Sequence, residues 1–130
     1  MKIEEFTKKL NQLDYALRDQ FIKQELNKGA LKTIGKTKQR TPVDTGLLKR
    51  SWWVTQPVKI SGGYKITIKN DTDYASYVEG GHLMKNGKYY HPRFMLKKSV
   101  DELAEELPIE ISKDIVAFWN NAMERSAKHR

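Results

Sequence analysis

The segment at residues 40–46 constrains the fold most, because the hydrophobic pattern changes its period there. Before it, apolar residues recur at steps of three and four: Ile3, Phe6, Leu10, Leu13 and Leu17. After it, Tyr64, Ile66 and Ile68 alternate with polar residues. The first spacing is that of an amphipathic helix, and the second is that of a half-buried strand. The sequence therefore predicts an N-terminal helix, a corner and a β-hairpin.

The helical pattern continues less regularly toward Arg40, through Phe21, Ile22, Leu26, Ala30 and Ile34. Gly29 interrupts it, and a glycine inside a helix costs about 1 kcal/mol relative to alanine. We expect a long helix, either continuous or broken, that ends near Arg40, with Gly29 marking a kink.

Two interpretations fit the corner that follows. In the first, Thr41 is the N-cap of a helix, Pro42 occupies its first turn and Asp44 accepts the reciprocal capping hydrogen bond. In the second, Asp44 or Thr45 caps a short turn in which Gly46 frees the backbone. Both interpretations predict a structured corner.

Residues 52–60 are rich in aromatic and β-branched side chains, and residues 61–63 supply a turn before the alternating strand. This pattern predicts a β-hairpin with one face exposed to solvent. Trp52 and Trp53 are consecutive, so a strand would place them on opposite faces. We expect one of them in the core and the other exposed or at an interface.

Residues 80–90 contain three glycines and no clear periodicity, which predicts a long loop with a small hairpin at Asn86 and Gly87. A helix is expected to start at His91 and Pro92 and to end or restart at Pro108, before a last helix. The prediction is an α+β fold in one domain at residues 1–130. A long N-terminal helix and C-terminal helices pack on a small antiparallel β-sheet.

The chain of 130 residues contains no cysteine, which excludes disulfides and thiolate metal ligands. No apolar run is long enough for a membrane helix or a secretion signal, so no membrane partner is expected. Residues 23–69 hold eleven basic and two acidic side chains, whereas residues 101–114 hold six acidic and one basic. This polarity suits head-to-tail association of copies into a ring, and solvated faces explain it equally well.

A row of basic residues recurs at four-residue intervals and so lies on one helical face. The row comprises Lys28, Lys32, Lys36 and Arg40. Cations in such a row can neutralise the phosphates of DNA, which makes these the candidate DNA-facing residues. A solvated lysine face is the simpler alternative.

Glu79, His82 and His91 are the one set that suggests a metal-dependent hydrolase, because carboxylates and imidazoles share metal sites. Their spacing matches no helical or finger-type site, so we expect surface or packing roles. The serines lack a nucleophile elbow, and the paired glycines lack the spacing of a phosphate loop. We therefore predict a protein that is not an enzyme and has no cofactor.

Candidate interface residues are the large side chains that strands and loop would expose: Trp52, Trp53, Met84, Tyr89 and Tyr90. Aromatic residues are favoured anchors of protein interfaces. The three loop residues either form an interface that orders on assembly or fold back over the sheet.

Three segments, in this order, resemble the tailed-bacteriophage neck or tail-component family. Residues 42–51 resemble the family's proline-valine-aspartate-threonine-glycine run and the leucine, basic residue and serine after it. Residues 74–81 are similar to its tyrosine-alanine segment ending in glutamate-glycine-threonine, with Gly81 or His82 in the threonine's place. Residues 91–96 resemble its proline-phenylalanine-leucine entry to a C-terminal helix, with Arg93 as an extra residue.

The resemblance implies an α+β subunit that assembles at the head-tail junction or completes the tail, without catalytic residues or a cofactor. It also implies that the motif residues are structural: Thr41, Pro42, Asp44, Thr45, Gly46, Glu79 and Gly80. The implied partners are other junction or tail proteins and further copies of the chain, with DNA contact non-specific at most. The implied location is the virion and, during assembly, the host cytoplasm.

Overall fold

The computed structural model describes residues 3–43 and 46–128, without side-chain detail for Ile3, Phe6, Leu10 and residues 126–128. The helices are α1 (Ile3–Gln12), α2 (Tyr15–Arg40), α3 (Leu47–Arg50), α4 (Ala75–Gly80) and α5 (Met95–Lys128). The strands are β1 (Trp52–Val54), β2 (Val58–Ile60), β3 (Gly63–Lys65), β4 (Ile68–Asn70), β5 (His82–Leu83) and β6 (Tyr89–Tyr90). The predicted α+β class is confirmed.

The N-terminal helix is broken, but not at the predicted position. The break lies between α1 and α2, where the Asp14 carboxylate accepts the Leu17 N–H at 2.9 Å and caps α2. Gly29 does not break the helix, because it lies inside the continuous α2. A Cβ at Gly29 would lie 3.0 Å from Leu103 of α5, so the glycine permits close packing of two helices.

One continuous helix, α5, replaces the two C-terminal helices that were predicted. Pro108 lies inside it, although proline removes a helical hydrogen bond and usually ends or kinks a helix. Contacts with α2 hold both sides of the proline. Lys32 forms ion pairs with Glu106 before Pro108 and with Glu110 after it, at 3.3 and 2.6 Å.

The predicted β-hairpin is confirmed as two antiparallel ladders. β1 pairs with β4, with Trp52 opposite Asn70, and β2 pairs with β3, with Val58 opposite Lys65. The register shifts by one residue between the ladders, so the first arm contains one extra residue at 55–57. Pro57 lies in this bulge, where its missing N–H costs no ladder hydrogen bond.

Two separate hydrophobic clusters line α5. The first joins Leu13, Phe21 and Ile115, where α1, α2 and the C-terminal half of α5 meet. The second joins Leu48, Trp52 and Met95, with Ile68, Ala75, Val78 and Leu96 packed against it. The second cluster fixes α3, β1, α4 and the start of α5 relative to one another, and the candidate site lies beside it. Within residues 3–43 and 46–128, no helix combines the length and the apolar character needed to cross a membrane.

Candidate functional site

A groove of about 580 Å³ lies where the corner, α4 and the β6–α5 connection meet. Its lining residues are Pro42, Val43, Gly46, Leu48, Tyr74, Tyr77, Val78, His82, Tyr90, His91 and Arg93. All three sequence segments that carry the family resemblance contribute to this lining. The groove is therefore the candidate functional site.

Thr41 fixes the corner, although not as the N-cap that one interpretation predicted. Its N–H donates to the Lys38 carbonyl at 3.2 Å, so Thr41 is the C-cap of α2. Its buried hydroxyl donates to the Thr37 carbonyl at 2.7 Å and accepts the Trp52 indole N–H at 3.0 Å. The N-cap prediction is wrong because this hydroxyl is already engaged on the preceding helix.

The rest of the corner follows the second interpretation in part. Gly46 precedes α3 with φ of 83°, a left-handed conformation that glycine adopts at low cost. Pro42 and Val43 are exposed and form one wall of the groove. Asp44 and Thr45, the predicted caps, lie outside the described residues.

Glu79 holds the start of α5. Its carboxylate oxygens accept the backbone N–H groups of Leu96 and Lys97, each at 2.9 Å. The carbonyls of Val78 and Glu79 accept the N–H groups of Arg93 and Phe94 at 3.0 and 3.2 Å. A carboxylate at a helix N-terminus satisfies unpaired N–H groups and interacts favourably with the helix dipole. Glu79 thus ties α4 to α5 and orients one wall of the groove.

Gly80 and Gly81 follow Glu79, and only the second has a steric requirement. Gly80 is the exposed last residue of α4, with open space where a Cβ would lie. Gly81 has φ of 75°, and a Cβ there would lie 2.6 Å from the Tyr90 carbonyl oxygen. This close approach explains physically why a glycine stands at position 81. Gly81 was not among the predicted structural residues, although the pair of glycines at 80 and 81 is a signal in the sequence.

An aromatic cluster forms the outer wall of the groove. The His82 ring stacks on Tyr90, with centroids 5.3 Å apart, and contacts Tyr77 at 5.4 Å. His82 Nδ1 is buried and has no hydrogen-bond partner in the described part of the chain. β5 and β6 pair as the predicted small hairpin, whose turn contains Gly87 at φ of 84°.

Comparison with protein families gives one match over most of the region that builds this site. Residues 4–81 match the family described as "Bacteriophage HK97-gp10, putative tail-component". The chain belongs to this HK97-gp10-like family. It is therefore a phage tail component with a structural role in the virion. No curated protein and no solved structure matches the chain.

The HK97-gp10-like match includes the first two resembling segments and ends at Gly81. The third segment, at residues 91–96, lies beyond it together with β5, β6 and α5. The likeness of that segment therefore rests on its own residues and on its place beside the groove.

The candidate interface residues occupy three different places in this HK97-gp10-like chain. Trp52 is in the second hydrophobic cluster, so it offers no surface for a partner. Trp53 is 40% exposed on the β1–β4 ladder, where its indole N–H donates to Asp71 at 2.9 Å. Met84, Tyr89 and Tyr90 are exposed on the β5–β6 loop, so the alternative in which the loop folds back over the sheet is wrong. The two tyrosines are 52% and 54% exposed.

The candidate DNA-facing row pairs with acidic side chains of α5, although the side chains of Lys28 and Lys32 are still 56% and 47% exposed. Its ion pairs join Lys28 to Asp114 at 2.5 Å, Lys32 to Glu110 at 2.6 Å, Lys36 to Glu106 at 2.8 Å, and Arg40 to Glu102. Hydrogen bonds to these carboxylates raise the pKa of each of the three lysines. We call this set of ion pairs the α2–α5 ladder. In this ladder the basic residues of α2 pair with the acidic residues of α5 in the same subunit. The separation of charge along the sequence is therefore no longer an argument for head-to-tail association of copies.

The ladder leads to a prediction about DNA. Replacing Lys28, Lys32 and Lys36 with glutamine is expected to leave retention on immobilised duplex DNA almost unchanged over a salt gradient, because these charges are already paired. The matched control replaces three exposed lysines of the β-region, Lys65, Lys85 and Lys88, and is expected to weaken any non-specific retention more. A larger loss in the first variant would show that the row reaches phosphates.

Glu25 is a buried acid on α2 beside the ladder. Burial raises its pKa from the ordinary value of 4.5 to about 7, and hydrogen bonding to the nearby Asp114 adds to the effect. Asp114 has a lowered pKa, mainly because of its hydrogen bond from Lys28. Sequence analysis missed this residue, although its position four residues after Phe21 places it on the buried face of the helix.

Glu25 should make stability depend on pH. The pKa of Glu25 is raised in the folded state. Its contribution to the free energy of unfolding is therefore complete below pH 4.5 and is lost as the pH rises through about 7. Glu25→Gln is therefore expected to be more stable than the unchanged protein at pH 8, by about 1–2 kcal/mol, with a smaller difference at pH 5. Urea denaturation at both values measures this, with exposed Glu105→Gln as control. Parallel pH profiles for Glu25→Gln and the unchanged protein would contradict it.

The remaining candidate set, Glu79, His82 and His91, is not brought together as a metal cluster. Glu79 binds the N–H groups of α5, and His82 stacks on Tyr90. The rings of His91 and Tyr89 pack edge to face, with their centroids 5.2 Å apart. Among the residues that the structure describes, no group of three or more histidine, cysteine, aspartate or glutamate side chains could hold a metal ion.

Proposed function

We propose that this phage tail component is a subunit of the head-tail junction, in the neck or in tail completion, and that copies of it form a ring when assembled. It acts through contacts and not through catalysis. The observation that carries the proposal is the convergence of the three family-like segments on one groove. Two of these segments fix the geometry of the groove, because Gly46 opens a turn and Glu79 holds the start of α5. Thr41, which directly precedes the first segment, caps α2.

The β5–β6 loop is the surface that we assign to contacts between subunits or with neighbouring virion proteins. Leu83 is 71% exposed, and Met84, Tyr89 and Tyr90 beside it are also exposed. Clusters of exposed apolar side chains mark protein interaction sites, and aromatic residues are enriched at such sites relative to the rest of the surface. Assembly would bury this cluster and supply free energy for docking.

A DNA-binding module is the alternative function, and it has lost its main support. Its candidate row is paired with α5, so phosphates would compete with four carboxylates for the same cations. Contacts with the genome passing through a junction would then be non-specific and made by other basic side chains.

Deleting the gene from a phage that carries it tests the proposed function. We expect DNA-filled heads and separate tails in lysates viewed by negative-stain electron microscopy, and joined particles when the intact gene is supplied in trans. Normal infectious particles from the deletion phage would overturn the proposal.

A further inference from the structure

The groove beside α4 has the chemistry of a binding site for acidic protein segments. We propose that it binds an extended acidic segment of a neighbouring virion protein, in which an aromatic or aliphatic side chain lies next to aspartate or glutamate. This inference rests on the proposed function for the source of the partner. The chemistry of the groove itself can be tested on the isolated protein.

The charge of the lining is the first argument. The ionisable groups that can carry positive charge there are Arg93, His82 and His91, and none of the described lining residues is a carboxylic acid. Arg93 is exposed, and its guanidinium has no partner among the described residues. The nearby Glu79 carboxylate is engaged by the N–H groups of α5 and does not neutralise Arg93.

The distribution of charge over the subunit is the second argument. The α2–α5 ladder pairs four basic with four acidic side chains and leaves no excess charge there. Residues 46–98, which include most of the groove lining, contain ten basic side chains and three acidic ones. Most of the excess positive charge of the protein therefore belongs to this part of the chain, which includes Arg93, and not to the α2–α5 ladder. Complementary charge of this kind accelerates encounter and selects acidic partners.

The apolar walls are the third argument. Three tyrosines, Tyr74, Tyr77 and Tyr90, line the groove with Leu48 and Val78. These surfaces suit an aromatic or aliphatic side chain, which a simple anion does not provide.

Backbone strain beside Arg93 is an independent observation. Phe94 has φ of 47°, and it is the one non-glycine residue in the described chain with positive φ. Its N–H donates to the Glu79 carbonyl at 3.2 Å, and its carbonyl accepts the Lys98 N–H at 3.2 Å. Strained residues held by surrounding hydrogen bonds occur preferentially at functional sites. Here the strained link holds Arg93 at the groove, because the Arg93 N–H is also fixed to Val78.

The lining favours a protein segment over nucleic acid. Arg93 is the one permanently charged side chain among the described lining residues, whereas duplex DNA is bound by several cations that follow the phosphate spacing. A groove with one guanidinium and three phenol rings matches a few carboxylates with an apolar neighbour.

Fluorescence anisotropy with a labelled, blocked peptide of sequence Gly-Asp-Phe-Glu-Leu-Asp-Gly tests the inference. We expect saturable binding at sub-millimolar concentration, weakened about tenfold or more when asparagine and glutamine replace its acids. Arg93→Ala should weaken binding similarly, and Arg93→Lys should restore part of it. Lys113→Ala, an exposed lysine of α5, is the control that should change nothing.

Three results would overturn the inference: no saturable binding, equal binding of the amide peptide, or full binding by Arg93→Ala with an unchanged circular dichroism spectrum. Displacement of the peptide by duplex DNA in an Arg93-dependent manner would also overturn it, in favour of a nucleic-acid site. The deletion experiment separates the two proposals. Peptide binding without an assembly defect removes the proposed function, and an assembly defect without peptide binding removes the groove as the contact.

Discussion

Replacing Glu79 with alanine is expected to destabilise the protein by about 2–3 kcal/mol. The change removes two charge-assisted hydrogen bonds to the N–H groups of Leu96 and Lys97 and leaves the first turn of α5 without its cap. It also removes a negative charge at a helix N-terminus. Urea denaturation followed by circular dichroism measures the loss.

Two controls separate capping from a general effect of charge. Glu79→Gln keeps one acceptor oxygen and should lose about half as much stability. Glu105→Ala removes an exposed glutamate of α5 and should change stability by less than about 0.5 kcal/mol. If Glu79→Ala and Glu105→Ala were equally stable, the tie between α4 and α5 would not carry the role assigned to it.

Replacing Gly81 with alanine is expected to cost about 2–3 kcal/mol or to open the β5–β6 hairpin. Two effects add: a backbone with φ of 75° and ψ of 167°, a region that residues other than glycine occupy at a cost of about 1–3 kcal/mol, and a Cβ only 2.6 Å from the Tyr90 carbonyl oxygen. Thermal denaturation measures the stability. Hydrogen exchange at Met84, whose N–H donates to the Lys88 carbonyl at 2.8 Å, measures the hairpin.

The adjacent Gly80 is a matched control for this prediction. Its Cβ position is open and its φ is not in the left-handed region, so Gly80→Ala should be within about 0.5 kcal/mol of the unchanged protein. An equal loss in both variants would show that the contact between Gly81 and Tyr90 does not determine stability here.

Local patterns predicted the elements of this fold well, because they depend on neighbours in the chain. The helical spacing before Arg40 and the alternation at residues 64–69 gave a helix and a hairpin where the structure has them. The opposite faces of Trp52 and Trp53 followed from the strand period alone, and the structure buries the first and exposes the second.

Two of the errors came from residues whose role depends on a distant partner. Gly29 was interpreted as a kink from its low helix propensity. The sequence around it does not show that Leu103, far along the chain, packs against it. Pro108 was expected to end a helix because the sequence around it does not show that Lys32 of α2 forms ion pairs on both sides of the proline. In each case tertiary packing outweighed a local preference.

The α2–α5 ladder was in part visible in the sequence, because a basic row and an acidic row share one spacing. The four-residue spacing of the basic row correctly placed it on one face, but said nothing of what lies opposite. Glu102, Glu106, Glu110 and Asp114 have the same spacing. Matching the two rows in reverse order would have suggested antiparallel helices with paired charges.

The groove was only partly predictable. Its loop aromatic residues were expected either to be exposed for contact or to fold back over the sheet, and the family resemblance implied that Glu79 is a structural residue of its motif. The helix that Glu79 caps and the placement of Arg93 beside Val78 required the folded backbone. Sequence could name the segments but not the surface that they build together.

Complementation of the deletion phage tests most directly whether this protein works through its loop face and not through the α2 row. One variant carries Leu83→Ser and Tyr89→Ser on the exposed loop, and the other carries Lys32→Gln and Glu110→Gln, which removes one pair of the ladder without changing net charge. We expect the first to leave filled heads and separate tails, and the second to restore infectious particles. Full complementation by the loop variant, with failure of the ladder variant despite a normal fold, would contradict the proposed mode of action.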